Sequence, residues 1–439
     1  MTEPRILVIQ MARLGDFIQS TPLLAALRRA EPGAALVLAG GDAAVLEAAR
    51  LSPLVDEVAC VGQGQPEPGG VFKAVFGLNS ALPAARLAGR VPAARRFGPE
   101  AEGEKLKFTP AQEFLLGLMA EDRRLARFNL ADVWLSLKPG AGPEPLVWPA
   151  DRPAPPAAGH FKIGFHLGAR HHLRRWPVEN FVLLARALGD LIGPFTPVLS
   201  GSAGERALGA RFEKLLAGSA PAPLNLMGAT NLKELGAVMA GLDLLVTADT
   251  GVMHLAAAVK TPVLALFFGP AYGPETGPYG PGHFIYQAEA PCGPCREGAG
   301  CRRRQCLALP EPEPAARLAA AALNGLAEPL GPHPLSGHRV WRTEGDGFGQ
   351  TLRPLGRPPL TADEALALAL TGAGRAVLRP GYEAEPGALT ALAAAYAAPA
   401  APLAVPAARL NRLSGRAGPG FTDRLRQNLA VLGVKIASS

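Results

Sequence analysis

The sequence predicts an α/β protein with two units, each built around a parallel β-sheet. Short apolar runs alternate with segments of helical periodicity, which is the pattern of parallel sheets covered by helices on both faces. This alternation stops in a stretch rich in Pro, Gly and Ala at residues 139–159 and restarts after it. The length of 439 residues corresponds to about two or three domains.

The first predicted domain covers residues 1–150. Apolar runs predict strands at residues 5–11, 36–39 and 71–78, and apolar residues at helical spacing predict helices at residues 17–30 and 43–50. Residues 83–127 are basic and less regular. The segment 139–159 holds too many prolines for a helix or a central strand, so we expect a flexible hinge there.

The second predicted domain covers residues 151–330 and repeats the same alternation. Its predicted strands are residues 161–166, 196–200, 224–227, 242–248 and 263–268, and its predicted helices are residues 178–191, 205–217, 232–239, 253–259 and 315–326. Two such domains joined by a hinge predict a cleft between the carboxyl ends of their strands, where open parallel sheets bind ligands. Residues 331–439, rich in Ala, Pro and Gly, are interpreted as a C-terminal extension of unknown role.

The composition is that of a folded protein, with 48% hydrophobic and 18% charged residues. The net charge of +7 fits an anionic small molecule or an anionic membrane surface, and it is too weak to indicate nucleic acid. The opening residues MTEPRILVIQ lack a basic and then apolar leader, and the uncharged residues 388–408 contain three prolines, which do not suit a membrane span. We therefore expect a cytoplasmic protein.

The first candidate site is the segment MARLGD, which follows the first predicted strand and ends at Asp16. A glycine at a strand-to-helix turn lets backbone N–H groups approach a bound anion. The Asp16 carboxylate is placed to accept a proton from an attacking hydroxyl. A capping role at the start of the next helix is the alternative, and the spacing alone leaves both open.

The second candidate site is the segment HLGAR with the RRWP that follows it, which supplies His166, Gly168, Arg170, Arg174 and Arg175. Guanidinium groups bind phosphate oxygens through paired hydrogen bonds, and the N-terminus of the next helix adds N–H donors. The segment is therefore interpreted as a diphosphate cradle, with a solvated basic loop as the equal alternative.

The third candidate site is the turn DTGVMH, which lies between a predicted strand and a predicted helix. Asp249 suits sugar or ribose hydroxyls, whereas Thr250 and Gly251 suit a phosphate. His254 follows one helical turn later and is near enough to reach the same ligand, although a hydrogen-bonded structural histidine is the more common case.

Four of the five cysteines lie at Cys292, Cys295, Cys301 and Cys306, with the spacing C-x2-C-x5-C-x4-C. This density indicates a zinc or iron–sulfur loop, and reduced thiols in a loop are the alternative. Three arginines lie between the last two cysteines, at residues 302–304. They are interpreted either as a contact for an anionic acceptor or as charges that partly offset the thiolates. The fifth, Cys60, is predicted to lie in the core.

In their order along the chain, these motifs resemble those of glycosyltransferase family 9, the ADP-heptose:lipopolysaccharide heptosyltransferases. The resemblance covers about residues 4–325 and is strongest over residues 160–282, through IGFHLGAR, RRWPVENF and DTGVMHLAAA. It implies a GT-B fold, in which two Rossmann-like domains face each other across a cleft. It also implies inverting transfer of a heptose from ADP-L-glycero-β-D-manno-heptose to the lipopolysaccharide inner core, without a required metal or other cofactor.

The resemblance also implies roles for single residues. Asp16 matches the general base, Arg174 matches the cation that faces the donor phosphates, and Glu205 matches an acidic residue that contacts the nucleoside. The donor-binding turn is matched by Asp249, Thr250, Gly251 and His254, and His166 and Gly168 stand in the loop that is compared with the family's His-Pro-Gly. From the charge of the same loop, we also assign Arg170 and Arg175 to the donor site, as helpers of Arg174.

The implied N-terminal domain binds the acceptor, to which we assign Arg13, Gly15, Arg95 and Arg96. A basic face around Arg95 and Arg96 suits an anionic, lipid-linked saccharide at the inner membrane surface, and a merely solubilising face is the alternative. We expect a monomer without nucleic-acid partners. Two other functions stay open: a family member that uses another nucleotide sugar, and a catalytically silent nucleotide-binding scaffold.

Two positions depart from the family pattern. The usual His-Pro-Gly of the second-domain loop reads His166-Leu167-Gly168, and an arginine stands at position 174 where a lysine is common. The charge at position 174 is kept, but a planar guanidinium differs from an ammonium in its phosphate geometry.

Overall fold

The computed structural model describes residues 3–62, 65–150, 160–219, 221–295, 301–325, 338–356, 358, 361–378, 404–406, 421–431 and 434–437. The chain divides into two units. The first comprises Met1–Val147, Asp346–Gly349 and Pro359–Ser439, and the second comprises Trp148–Gly345 and Gln350–Pro358. The chain passes from the first unit to the second after Val147, three residues before the boundary predicted at residue 150. The described part of the Pro-rich segment, residues 139–150, contains no helix or strand.

The first unit contains a five-stranded sheet in which every strand is parallel to its neighbours. The strands are β1 (Arg5–Ile9), β2 (Ala35–Gly40), β3 (Glu57–Cys60), β4 (Ala74–Gly77) and β5 (Arg96–Phe97), in the order β3-β2-β1-β4-β5. Strand β1 is central, and its last residue, Ile9, lies opposite Ala39 on one side and Gly77 on the other. The carboxyl ends of β1 and β4 are therefore adjacent.

Strand β3 was not among the predicted strands, because it lies at the sheet edge and its four residues are exposed or half-buried. Such a strand lacks the apolar run that marks its buried neighbours. Its last residue, Cys60, is exposed, so the prediction of a core cysteine is wrong.

The helices of the first unit begin with α1 at the end of β1. They are α1 (Leu14–Ala30), α2 (Ala43–Leu51), α3 (Leu82–Arg90), α4 (Pro110–Asp122) and α5 (Leu130–Leu135). A short antiparallel hairpin of β6 (Glu100–Glu102) and β7 (Lys105–Lys107) follows α3. The basic, irregular segment of the sequence therefore contains the hairpin and two short helices.

Helix α1 continues through Pro22, which has no N–H to donate to the carbonyl of Ile18. The Thr21 hydroxyl donates to that carbonyl instead, at 2.7 Å. The same hydroxyl oxygen accepts the backbone N–H of Val147 at 2.9 Å. The Ile18 carbonyl therefore keeps a hydrogen-bond partner, and the helix continues without interruption over its 17 residues, Leu14–Ala30, with the candidate residue Asp16 in its first turn.

The second unit contains an eight-stranded sheet in the order β10-β9-β8-β11-β12-β13-β14-β15. Its strands are β8 (Lys162–His166), β9 (Thr196–Ser200), β10 (Leu224–Asn225), β11 (Leu244–Ala248), β12 (Val263–Phe267), β13 (Phe284–Ala288), β14 (His338–Gly345) and β15 (Gln350–Pro354). The strands from β10 to β13 are parallel, and β14 and β15 are antiparallel to their neighbours.

Helices of this unit follow the parallel strands, as the sequence predicts. They are α6 (Val178–Ile192), α7 (Arg206–Leu216), α8 (Leu232–Ala240), α9 (Gly251–Ala258), α10 (Gly273–Thr276) and α11 (Pro312–Asn324). Inward side chains of the sheet and of α6, α7 and α11 form one apolar core that includes Phe165, Phe181 and Phe212. Burial of these side chains fixes the strand order and hence which loops meet.

The C-terminal segment predicted as one extension is divided between the two units. Strands β14 and β15 extend the sheet of the second unit. Helices α12 (Ala362–Leu378) and α13 (Phe421–Val431) belong to the first unit, where α12 shares an apolar core with Phe114 and Phe128. A parallel strand pair, β16 (Ala404–Pro406) with β17 (Lys435–Ala437), completes the first unit.

A largely buried ion pair supports the position of α12 in the first unit. Arg127 lies 2.7 Å from Glu364, and the two side chains are only about one-tenth exposed.

Along the described ranges, no helix combines the length and the apolar character needed to cross a membrane.

Candidate functional site

The carboxyl ends of β9, β8 and β11 lie side by side in the sheet of the second unit. These strands end at Ser200, His166 and Ala248, and each is followed by a loop that carries polar side chains. Because parallel strands point in the same direction, the three loops meet at one edge of the sheet. The predicted donor residues all lie on these loops or just beyond them.

The structure joins two of the predicted residues, Arg174 and Asp249, in an ion pair. Arg174 ends a short 3-10 helix after β8, and Asp249 directly follows β11. Arg174 Nη1 lies 2.8 Å from Asp249 Oδ2, and the side chains are 17% and 7% exposed. Shielding from water strengthens this attraction relative to a surface ion pair.

Thr250 begins helix α9 as its N-cap residue. Its hydroxyl accepts the backbone N–H of Met253 at 3.4 Å and lies 3.3 Å from the Thr247 hydroxyl. The first N–H groups of a helix have no partner inside the helix and carry partial positive charge. The N–H groups that begin with Gly251 therefore suit an anion, next to the Arg174–Asp249 pair.

His254 lies in the first turns of α9 and is 3% exposed. Burial lowers the pKa of His254 to about 3. The imidazole is therefore neutral at physiological pH, and its Nδ1 has no hydrogen-bond partner in the described part of the chain. A neutral ring can donate or accept one hydrogen bond to a ligand but adds no charge to a phosphate site.

Glu205 is held at the end of a 3-10 helix after β9. Its Oε2 accepts the backbone N–H and the hydroxyl of Ser202, both at 2.8 Å. A Cβ added to Gly168 would lie 1.7 Å from Glu205 Oε1, so the loop after β8 passes close to the carboxylate, and a larger residue at position 168 would displace it.

Glu205 and His166 lie close enough for each to shift the pKa of the other. Partial burial raises the pKa of Glu205, but the Ser202 hydrogen bonds and the charges of His166 and Arg175 outweigh it and lower that pKa. Burial lowers the pKa of His166 against the opposing influence of Glu205. His166 Nδ1 also lies 3.2 Å from the hydroxyl of Ser200.

Arg170 and Arg175 lie on the same loop and are exposed. The Nε of Arg175 donates to the carbonyl of Ala169 at 2.5 Å, which fixes the base of the side chain. The second unit therefore brings together a cationic loop, a helix N-terminus and two carboxylates at the ends of three adjacent strands. This arrangement can hold a diphosphate and hydroxyl groups at the same time.

In the first unit, Asp16 lies at the third position of α1 and is half-buried. Its Oδ2 accepts the backbone N–H of the N-cap residue Arg13 at 3.1 Å. The capping interpretation is therefore confirmed, and the catalytic role of Asp16 stays a prediction, since a capping carboxylate keeps further lone pairs. Arg13 is exposed, and Gly15 is buried in the first helical turn.

Two amide side chains hold the loop that leads to Asp16. The backbone N–H of Met11 donates to Asn79 Oδ1 at 2.6 Å, and Asn79 Nδ2 donates to Gln10 Oε1 at 2.8 Å. The buried Gln10 also accepts the N–H of Ala12 at 3.2 Å and donates to the carbonyl of Asp16 at 3.3 Å. The adjacent ends of β1 and β4 therefore fix the start of α1.

Arg95 and Arg96, predicted to bind the acceptor, have partners within the first unit. The Arg95 guanidinium lies 5.0 Å from the centre of the Phe97 ring. The Arg96 guanidinium donates to backbone carbonyls at the end of α3, those of Ala88, Val91 and Ala93. Arg96 thus caps a helix, while Arg95 keeps an exposed cation.

The four clustered cysteines are reduced in this structure, and their environments differ: Cys306 is buried, Cys292 is exposed, and Cys295 and Cys301 are intermediate. Burial raises the pKa of Cys306; a hydrogen bond with the backbone of Gly269 opposes this shift, and the three neighbouring thiols add to it. Among the residues that the structure describes, no three side chains of the metal-binding types are placed to share an ion. The zinc or iron–sulfur alternative therefore stays a prediction.

Several polar residues near these sites were not singled out from the sequence. They are Gln10, Asn79, Ser200, Ser202 and Thr247. Each of them lies within two residues of the last residue of a strand. A search for polar residues at predicted strand ends would have found them, but their partners depend on the order of the strands.

Residues 145–304, which include the Arg174–Asp249 pair, match the family model "Glycosyltransferase family 9 (heptosyltransferase)". The chain is 36% identical over 125 residues to lipooligosaccharide heptosyltransferase 2 of Haemophilus influenzae, which covers 27% of this chain and 33% of that protein. It is 32% identical over 152 residues to lipopolysaccharide heptosyltransferase 2 of Escherichia coli, covering 32% of this chain and 42% of that protein. The chain thus matches less than half of the length of these relatives.

Among solved structures, ADP-heptose lipopolysaccharide heptosyltransferase II of E. coli superposes with a TM-score of 0.53 at 22% identity. The superposition covers 73% of this chain and 99% of that chain. This likeness concerns the fold, and it confirms the predicted GT-B class of two α/β units with parallel sheets.

Proposed function

We propose, since the chain belongs to glycosyltransferase family 9, that it is an inverting transferase that moves a heptose from ADP-L-glycero-β-D-manno-heptose to the lipopolysaccharide inner core. The observation that carries this proposal is the shielded Arg174–Asp249 pair beside the N-terminus of α9. A cation, free backbone donors and a carboxylate at one strand edge suit a sugar linked to a diphosphate.

Each donor group has a proposed contact in the second unit. Arg174 and the first N–H groups of α9 bind the diphosphate, and Asp249 accepts hydrogen bonds from sugar or ribose hydroxyls. Glu205, held by Ser202, accepts from the nucleoside. Arg170 and Arg175 add positive potential, and the neutral His254 supplies one hydrogen bond.

The chemical step is a single displacement. The acceptor hydroxyl oxygen attacks the anomeric carbon as the bond from that carbon to the diphosphate oxygen breaks, which inverts the anomeric configuration. The hydroxyl proton passes to the Asp16 carboxylate, and ADP leaves with the electron pair of the broken bond. Arg174 and the α9 N–H groups stabilise the charge that grows on ADP, and removing such a preorganised donor typically costs about 3–4 kcal/mol.

The first unit is proposed to bind the acceptor through Arg13, Gly15 and Arg95. Arg96 supports this surface indirectly, because its guanidinium holds the end of α3. The reaction is proposed to occur in the cytoplasm, at the inner face of the cytoplasmic membrane, where a lipid-linked acceptor is held. A monomer without a required metal is sufficient for this scheme.

The test uses the purified full-length chain with ADP-heptose and a lipopolysaccharide that lacks heptose. We expect ADP release in a coupled assay, retained in excess EDTA, and a product whose anomeric configuration is opposite to that of the donor by NMR. Calorimetry with ADP-, UDP- and GDP-sugars tests the donor class. Preference for another nucleotide sugar supports the first alternative function, and nucleotide binding without any ADP release supports the silent scaffold.

A further inference from the structure

The loop with the four cysteines contacts the cationic loop after β8 through Gly269, which lies just beyond β12. The backbone N–H of Cys295 donates to the Gly269 carbonyl at 3.2 Å. A Cβ added to Gly269 would lie 3.2 Å from the carbonyl oxygen of Leu173 and 3.9 Å from Cys295 Sγ. Two loops that are far apart in sequence therefore meet at one backbone position.

Arg304 has an unusual backbone conformation in this loop. Its φ of 49° and ψ of 24° place it in the left-handed region, which is uncommon for residues other than glycine, asparagine and aspartate. Its N–H donates to Cys301 Sγ at 3.4 Å, and its side chain is exposed. A conformation of this kind costs free energy and is found preferentially at functional sites.

On the loop after β8, and on the described parts of the cysteine loop (residues 292–295 and 301–306), the charged side chains are all basic. Loss of hydration, and then the charges of Arg304, His171 and Arg175, lower the pKa of His172. Arg302 and Arg303 precede Arg304 and are exposed as well, and Arg170 is exposed on the facing loop. In the parts of the chain that the structure describes, Arg170, Arg302, Arg303 and Arg304 form no ion pair. We define the cationic surface as Arg170, Arg302, Arg303 and Arg304, which lie around the neutral His172.

We propose that the cationic surface binds anionic groups, phosphate or carboxylate, of the saccharide acceptor. This inference rests on the proposed transfer reaction and assigns part of acceptor binding to the second unit. The donor diphosphate already has Arg174 and the N-terminus of α9, so the additional exposed guanidinium groups exceed what one diphosphate needs. A saccharide with several anionic groups matches them, because each guanidinium can bind one group through two hydrogen bonds.

The first variant is Arg304→Gly, which removes the charge and also relieves the left-handed backbone. We expect the KM for the acceptor to rise about threefold to tenfold, as for one exposed charge–charge contact, while the KM for the donor stays unchanged. The melting temperature should not fall, since glycine adopts this φ freely. A merely structural Arg304 would leave the acceptor KM unchanged.

Lys260→Gly is the matched control. Lys260 is exposed, follows α9 and has a φ of 61°, so this change also removes a cation from a left-handed position. We expect it to leave both KM values unchanged. An equal rise in acceptor KM for Lys260→Gly would overturn the proposal, because net charge alone would then explain the effect.

The triple variant Arg302→Gln, Arg303→Gln and Arg304→Gly gives the larger signal. Its acceptor KM should rise more than tenfold, and the increase of the wild-type KM between low and high salt should be lost. An unchanged acceptor KM, or a rise confined to the donor KM, would overturn the proposal. If the wild-type chain releases no ADP at all, the proposed function fails instead, which is a different result.

The chemistry of the bound group is tested on the acceptor. Phosphatase treatment removes its phosphates, and esterification neutralises its carboxylates. A higher KM after one treatment, seen with the wild-type chain and absent with the triple variant, identifies the group that the cationic surface binds. Equal KM values before and after both treatments would contradict the inference.

Discussion

The Arg174 guanidinium lies 2.8 Å from the Asp249 carboxylate, across the boundary between the loops that follow β8 and β11. Arginine has five N–H donors in a fixed plane, so this contact leaves donors that can bind a phosphate at the same time. The carboxylate in turn fixes the direction in which those donors point. The ion pair therefore holds the guanidinium of Arg174 in a fixed orientation in the absence of ligand, so the cation is preorganised for an anion.

The first prediction concerns the strength of this pair. Arg174→Ala leaves the buried Asp249 carboxylate without its cation, so we expect lower stability and an ADP dissociation constant at least tenfold higher. Arg174→Lys keeps the charge but loses the planar fork, and its affinity should be intermediate. Calorimetric titration with ADP and urea unfolding measure the two effects.

A double-mutant cycle with Asp249→Asn measures the interaction free energy between Arg174 and Asp249 separately from their contacts with other residues. For unfolding, we expect the coupling between Arg174→Ala and Asp249→Asn to be about 1–3 kcal/mol, since the groups are in contact and shielded. Additive effects would show that the contact contributes nothing to the folded state.

The second prediction concerns Asp16. Asp16→Asn keeps an oxygen for the Arg13 N–H but removes the basic carboxylate, so kcat should fall about 100- to 10,000-fold. The dissociation constant for ADP should stay within a few fold. Steady-state ADP release and calorimetry give both values, and retained turnover would remove Asp16 from the role of base.

Asp42→Asn is the matched control for this change. Asp42 caps α2 by accepting the N–H groups of Ala44 and Val45. The two variants should lose similar, small amounts of stability, of about 0.5 kcal/mol, because asparagine is also a good N-cap residue. Only Asp16→Asn should lose activity.

The third prediction concerns Asn79, which holds the loop before Asp16. Asn79→Leu removes both of its hydrogen bonds, to Met11 and Gln10, so kcat should fall about tenfold while donor affinity is kept. Asn79→Asp keeps the acceptor oxygen and should recover part of the loss. Equal kcat values for the wild type and Asn79→Leu would show that Asp16 needs no such support.

Periodicity in the sequence predicted the buried parallel strands well. The bounds predicted for β9, residues 196–200, agree with the observed Thr196–Ser200, because its central residues are apolar and four of its five residues are buried. Strand β3 has no such run, and β14 joins the second sheet only through pairing with β13, a non-local contact that no local pattern encodes. Composition alone likewise gave no sign that α12 packs into the first unit.

The candidate site was likewise predictable from the sequence only in part. The motifs located the loops of Arg174 and Asp249, since each follows a predicted strand. Their pairing required β8 and β11 to be neighbours, although two strands lie between them in sequence. Single polar residues such as Ser202 carry no sequence signature, so the contact that orients Glu205 was visible only in three dimensions.

The fourth prediction concerns pH and His254. Burial lowers the pKa of His254 to about 3 in the folded chain, whereas an unfolded histidine titrates near its ordinary value of about 6.5. Below that value the unfolded chain binds a proton that the folded chain does not, so stability falls as the pH falls. One such site costs about 2 kcal/mol between pH 7 and pH 5.

His254→Gln should reduce the loss of stability between pH 7 and pH 5 by about that amount. Urea unfolding at several pH values measures it, and His160→Gln, at an exposed histidine, is the control. Part of the pH dependence should persist, because burial also lowers the pKa values of His166 and His283. An unchanged pH profile in His254→Gln would mean that this imidazole is not buried as a neutral group.

The fifth prediction concerns Gly168 and Glu205. Gly168→Ala places a Cβ 1.7 Å from Glu205 Oε1, so the carboxylate must leave its position and loses its bonds to Ser202. We expect a loss of about 1–3 kcal/mol in unfolding free energy and weaker ADP binding. In the background Glu205→Ala the clash is absent, so adding Gly168→Ala should cost little further stability. Equal costs in the two backgrounds would show that the loop and the carboxylate are independent, and that the glycine is required for another reason.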